Sequence, residues 1–252
     1  MDRHLTIEAV RLTEAAALFA SRHMGKGDEE IAYLSAADAM HRVLSYMNIY
    51  GEIVIGADSP DSLLHDGVLV GNSDDIAIDL ALKPLDGKST CAKGGHNAVS
   101  VVAVSDKGAF MKVPSLYMDK IAVGKDAKNV VDINQPPSIN IKRVARAMGK
   151  YIEDITVCVL DRKRNERLVE EIRKTGARIR FIQDGDITGA ISTAVEIAPV
   201  ISPSWMKRIL APVFRISSTS RSFLFLSSTQ TVISSMYLPM ARATRFMLIE
   251  GG

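Results

Sequence analysis

Three charged clusters carry most of the chemistry that this 252-residue sequence can offer. Arg162-Lys163-Arg164 follows an apolar run, 155–160, and precedes a helical pattern, 165–175. A strand end leading into a helix gathers free backbone N–H groups and the positive end of a helix dipole. Three cations placed there suit an anion site, although the residues alone favour the plainer reading of a solvated charge run. Asp184-Gly185-Asp186 closes the next strand pattern, where Asp186 suits the N-cap of a following helix. The third cluster is Lys83-Pro84-Leu85-Asp86-Gly87-Lys88, one carboxylate bracketed by two ammonium groups after a long alternating run. Other constellations are missing from the sequence. His4, His23, His41, His65 and His96 show no paired metal spacing, no Gly-x-Ser-x-Gly elbow occurs, and Gly94-Gly95 after Lys93 is too short for a nucleotide-phosphate loop. Cys91 and Cys158 stand far apart without a Cys-x-x-Cys pair, which argues against a disulfide scaffold or zinc ribbon and fits a reducing cytoplasm.

The elements that must position these groups follow from periodicity. Leu5, Ala9, Leu12, Ala16 and Phe19 recur at helical spacing, and Gly25-Lys26-Gly27 closes that helix. Asp28 is an N-cap for a second helix, striped by Tyr33, Ala37, Met40, Leu44 and Met47 and ended by Gly51. Residues 52–55 and 75–83 read as strands, and 99–105 with 109–113 flank Asp106-Lys107-Gly108, a turn that predicts a hairpin. After Pro136-Pro137 strands and helices alternate: a helix capped by Ser138, strand 155–160, helix 165–175 ended by Gly176, then strand 178–183. The chain is therefore expected to be α/β (α+β), with helices packed on a mainly antiparallel sheet over 1–136 and a smaller parallel α/β unit over 137–195.

Composition bounds the possibilities. With 47% hydrophobic residues the chain can bury one generous core or two modest ones. The formal charge is +2, acids and bases are interspersed over most of the length, and no basic arm occurs, so nucleic acid is not an expected partner. Asp2, Arg3 and Glu8 leave no apolar leader at the start, and the chain is expected to begin where it is written. The uncharged run 222–240 carries Ser227, Ser228, Thr229, Gln230 and Thr231 at its centre, so no membrane span is expected either. Between Glu196 and Glu250 there is no acidic residue, while serines and threonines accumulate around scattered arginines. Segment 196–252 is either a Ser-rich irregular tail or the product of a reading-frame shift near 190–200, and its one-signed charge favours the shift.

Four stretches in order carry a resemblance. They are Ile53-Val54-Ile55-Gly56, Pro84-Leu85-Asp86-Gly87, Asp106-Lys107-Gly108 with Tyr117-Met118-Asp119-Lys120, and Asp184-Gly185-Asp186. Together, over about the first 190 residues, the sequence resembles the class II fructose-1,6-bisphosphatases, a branch of the lithium-sensitive sugar and inositol phosphatases. The resemblance implies a cytoplasmic hydrolase of gluconeogenesis that removes the 1-phosphate of fructose 1,6-bisphosphate with Mn2+ or Mg2+. Two hard cations would hold the phosphate and activate water, which demands several carboxylate oxygens. It also implies a phosphorylated sugar at Gly87, Tyr117, Arg162, Lys163, Arg164, Asp184, Gly185 and Asp186.

The acids of that pattern are largely replaced. Tyr33 stands at a ligand aspartate and reads better as a core or rim residue, Ala57 and Ser59 stand at the loop glutamates, and Lys83 stands at the leading aspartate of the second motif. Asp86 keeps a carboxylate where the family has glutamate, and Lys88 replaces a water-orienting threonine, so Asp86 and Lys88 mark the catalytic positions and Asp86 the surviving metal position. Asp58 and Asp61 are poor stand-ins, because a one-residue displacement in a tight loop misaims a carboxylate. Either the two lysines put ammonium groups where cations belong, repelling them by roughly 1 to 4 kcal/mol at about 4 Å, or they swing into solvent. The expectation is an impaired or inactive phosphatase, a pseudoenzyme that holds the family's metal weakly or uses none. The alternatives are a phosphosugar-binding protein in which Lys83 and Lys88 hold the phosphate, or a structural subunit. In the latter case the chain forms homo-oligomers or pairs with an intact relative.

Overall fold

A computed structural model describes the backbone of residues 3–57, 62–73, 76–110 and 118–196 and five short strands beyond them. Side chains are described for 5–57, 62–73, 76–110, 119–124 and 126–191. The chain divides into two compact units, Met1–Ser115 with Lys207–Gly252, and Leu116–Met206.

The first unit opens with α1 (Arg3–Ser21) and α2 (Glu29–Tyr46), followed by β1 (Tyr50–Ile55), β2 (Leu69–Val70), β3 (Ala77–Asp86), the short α3 (Lys88–Ala92) and β4 (Val99–Asp106). Leu12, Met40, Leu44, Leu80, Val102 and Val104 sit in one buried cluster where the two long helices pack on the sheet. The alternation of β3 would suggest one dry face and one wet face, yet Ile78 through Leu82 are all buried, so both faces of this strand are covered. β4 pairs antiparallel with β3, and its turn is held from below. The N–H groups of Gly108 and Phe110 donate to Oδ2 of buried Asp79 at 2.9 and 3.3 Å. The strand expected to return from that turn does not form at Ala109 and Phe110, and 111–113 lie outside the described residues. The second partner of β4 comes from much later in the chain.

The second unit contains β5 (Met118–Ala122), α4 (Pro137–Ala147), β6 (Thr156–Leu160), α5 (Glu166–Thr175), β7 (Arg178–Ile182), α6 (Asp186–Glu196) and β8 (Val200–Ser204). Its sheet runs β5-β8-β6-β7, with β6 parallel to both β7 and β8 and β5 antiparallel at the edge. Pro136-Pro137 lies inside this unit, where Pro137 opens α4. Proline suits a first helical position because its missing N–H would have no helical partner there. The expected Ser138 cap is thereby displaced: Ser138 lies in the first turn, and its N–H donates to Oε1 of Glu171 on α5 at 3.3 Å. Likewise α2 ends at Tyr46 rather than Gly51, which sits in β1, where a Cβ would come within 2.9 Å of Leu80 Cδ1.

The remaining strands are β9 (Phe214–Ser217), β10 (Ser222–Phe225), β11 (Val232–Tyr237) and β12 (Phe246–Met247). Among the described residues the first unit's main sheet has the order β12-β11-β4-β3-β1-β2, and only β1 with β3 is a parallel pair. The chain is thus α+β, with a mainly antiparallel sheet under helices and a separate, smaller, mostly parallel unit. Among the described residues no helix is long and apolar enough to cross a membrane.

Candidate active site

In the first unit the site is built at the end of β3. Lys83 faces Val101 of β4 and Asp86 faces Val99, so three steps along β3 match two along β4. A regular strand would send residues three apart to opposite faces. The extra residue at Pro84-Leu85 is a bulge, and it puts Lys83 and Asp86 on one face. Proline fits there because it cannot donate to a ladder. The Lys83 ammonium consequently lies 3.2 Å from Asp86 Oδ1. The Asp86 side chain is only 4% exposed and that of Lys83 36%, so the carboxylate is removed from water while its partner stays at the rim. Gly87 follows at φ 84°, and a Cβ there would press within 3.3 Å of Ala98 Cα. This left-handed residue turns the chain into α3.

Lys88, the first residue of α3, points elsewhere. Its ammonium is 3.8 Å from Oε2 of Glu30, with both side chains largely in solvent, a contact of little energetic weight. Glu30 reaches it because the turn before α2 is docked on α3. The N–H groups of Gly25 and Gly27 donate to the carbonyls of Cys91 and Ala92 at 3.0 and 2.8 Å. Asp28 then caps α2, its Oδ1 accepting from the N–H groups of Glu30 and Ile31 at 3.0 and 2.9 Å. Burial raises the Cys91 thiol above its ordinary 9.0, so this thiol is neither a ready nucleophile nor a soft ligand.

Other positions at which the resemblance implies acids take part in packing or backbone pairing. Tyr33 is partly buried against the core, as its place in the helical stripe implied. Ala57 bridges to His65, and its N–H donates to the Leu64 carbonyl at 2.8 Å. The Gly56 N–H donates to Asp66 Oδ1 at 2.7 Å, which makes Asp66 the acid that closes this loop. Asp58, Ser59 and Asp61 lie outside the described residues. Elsewhere on this unit Lys107 bonds Glu52 and lies 5.7 Å from the Tyr50 ring; the hydrogen bond to Glu52 holds the ammonium above its ordinary 10.5.

In the second unit β6 and β7 run parallel with Leu160 beside Ile182, so the groups that follow both strands emerge at the same end of the sheet. After β6 come Arg162, partly exposed, and Lys163 and Arg164, both exposed, on a turn that leads into α5. Buried Asn165 anchors this turn, donating from Nδ2 to the Leu160 carbonyl at 2.7 Å. After β7 come Asp184, which accepts from the Gly185 N–H at 2.9 Å, Gly185 at φ 87°, and Asp186. Asp186 is the first residue of α6 rather than the residue before it, and Lys120 of β5 reaches its Oδ2 at 3.4 Å. The crevice beyond the carboxyl ends of parallel strands is where such sheets receive ligands. Sequence reasoning assigned no role to Lys120 or Glu30. Lys120 belonged to one of the four motif stretches, but its partner is 66 positions away. Tyr117 lies outside the described residues.

The first unit thus carries one shielded acid at the end of β3, and the second presents cations and acids at one end of its own sheet. Residues 3–200 match the family described as bacterial fructose-1,6-bisphosphatase, glpX-encoded. The chain is 39% identical over 197 residues to fructose-1,6-bisphosphatase 1 class 2 of Escherichia coli K12, covering 77% of this chain and 59% of that protein. It is 38% identical over 202 residues to the class 2 enzyme of Haemophilus influenzae, covering 79% and 61%. The chain belongs to the class II fructose-1,6-bisphosphatase family. It spans about three-fifths of the length of these curated relatives.

The family is metal-dependent, and the described residues do not fit a pair of divalent ions. Hard cations need several oxygen ligands. Asp86 is already matched by an ammonium at 3.2 Å, and among the described residues no three His, Cys, Asp or Glu side chains converge.

Proposed function

We propose that this chain binds a phosphorylated sugar and hydrolyses fructose 1,6-bisphosphate far more slowly than an intact member of its family. The observation that carries the reading is Lys83 paired with buried Asp86, at the place where the family's chemistry calls for carboxylates around metal. Asp86 and Lys88 keep the catalytic positions, but one shielded carboxylate and one solvent-facing ammonium offer no group to activate a water. The sugar phosphate falls to Arg162, Lys163 and Arg164, with Asp184 and Asp186 accepting hydroxyls and Tyr117 completing the set. A binder in which Lys83 and Lys88 hold the phosphate themselves is less well supported, since both ammonium groups are directed at carboxylates. A frame shift before segment 196–252, a cytoplasmic setting and manganese as the family's metal belong to the same proposal.

Phosphate release from fructose 1,6-bisphosphate in the presence of Mn2+ tests the reading. The expected outcome is turnover well under about 1 per second, and turnover at or above that ordinary enzymatic rate would refute it. Calorimetry with the same sugar separates binding from catalysis: affinity that survives a chelator is expected, and affinity that vanishes with the metal indicates a residual metal enzyme.

A further inference from the structure

We propose that the Lys83 ammonium is a built-in counterion, which fills the charge-balancing place of a divalent cation at Asp86 and closes that pocket to metal. The inference rests on the family reading and goes beyond it, because it concerns what the pocket binds rather than what it catalyses. A carboxylate that is 4% exposed cannot stay charged without a close compensating group. Lys83 supplies one at 3.2 Å, and the pair is neutral. Adding a divalent ion to this pair would leave carboxylate, ammonium and ion with a net charge of +2 beside a carboxylate that is shielded from water. The ammonium is tethered by the backbone bulge that puts both residues on one face of β3, so it is present at full occupancy and needs no uptake from solution. Lys88 does not share the task, being turned toward Glu30 on α2.

The test is the thermal unfolding midpoint of the full chain, read with and without about 1 mM MnCl2. A protein that binds the ion tightly in its folded state would be raised by several degrees at that concentration. The wild-type midpoint is expected to stay within about 1 °C whether Mn2+ or a chelator is present. Lys83→Met keeps the stem and removes the charge. Its midpoint is expected to fall with or without Mn2+, since one carboxylate alone does not hold the ion, and most of the loss should be recovered when Asp86→Asn is added. A wild-type midpoint that rises with Mn2+ and loses the rise in Asp86→Asn overturns the proposal, as does a folded Lys83→Met variant as stable as wild type. Should Lys83→Met not fold, Mn2+ electron paramagnetic resonance on wild type and Asp86→Asn still decides: bound ion present in the first and lost in the second overturns it, and no bound ion in either supports it. Turnover is read separately. Fast hydrolysis with a metal-indifferent midpoint would remove the proposed impairment and leave the counterion standing, whereas a metal-responsive midpoint without hydrolysis would do the reverse.

Discussion

At the scale of single residues, the Lys83–Asp86 pair has unequal partners. Asp86 is shielded and Lys83 is about one-third exposed, so removing the ammonium strands a buried charge, whereas removing both leaves an apolar-compatible hole. Breaking a fully buried pair costs about 3–5 kcal/mol, while replacing both members with apolar groups is often neutral. With Lys83 at the rim, Lys83→Met is expected to lose about 1–3 kcal/mol in urea unfolding at neutral pH. Lys83→Met/Asp86→Leu should recover most of that loss. A double variant as unstable as the sum of its parts would show that the pair is not the unit assumed. Helical spacing made Tyr33 readable as a partner of the core. The outcome for the two lysines was not readable from strand periodicity, which places residues three apart on opposite faces, and Pro84 hints at a bulge without fixing where the count slips.

At the scale of elements, local signals were legible and their terminations were less so. Asp28 caps α2 as its position implied, and Gly176 ends α5 at φ 89°. Ser138 does not cap α4, since Pro137 takes the first helical position and Glu171 from α5 supplies the acceptor, a contact 33 positions away that local reading cannot see. The loop after β1 shows a stricter constraint. A Cβ on Gly56 would lie 1.9 Å from the backbone carbonyl oxygen of Leu64 and 2.8 Å from Ile53 Cγ2. Neither neighbour can swing away as a long side chain would. Gly56→Ala is therefore expected to cost more than about 3 kcal/mol, well above the usual surface substitution. Gly67→Ala in the same loop meets nothing within 4 Å, and is expected to cost only the roughly 1–2 kcal/mol of a left-handed residue. Urea midpoints of the two variants check the difference, and equal losses would mean that the loop can rearrange around Gly56.

At the scale of the whole molecule, similarity and composition change character at nearly the same place. The family match ends at residue 200, and the last acidic residue before Glu250 is Glu196. A folded surface ordinarily mixes both charge signs, which keeps it soluble and unpatched. A stretch of more than fifty residues holding Lys207, Arg208, Arg215, Arg221, Arg242 and Arg245 but no carboxylate is what translation in a wrong frame would produce, because selection on surface charge does not act there. The short strands β9 to β12 do not oppose this, since strand propensity follows from β-branched and aromatic content that such a translation also supplies. The proposed shift predicts a definite result in the encoding DNA. One base inserted or removed near the codons for residues 190–200 should open a continuation with acids at ordinary frequency, and that continuation should resemble the remaining two-fifths of the relatives. If neither alternative frame yields such a continuation, the frame is intact, and the acid-free segment is a property of the protein that its surface chemistry must explain.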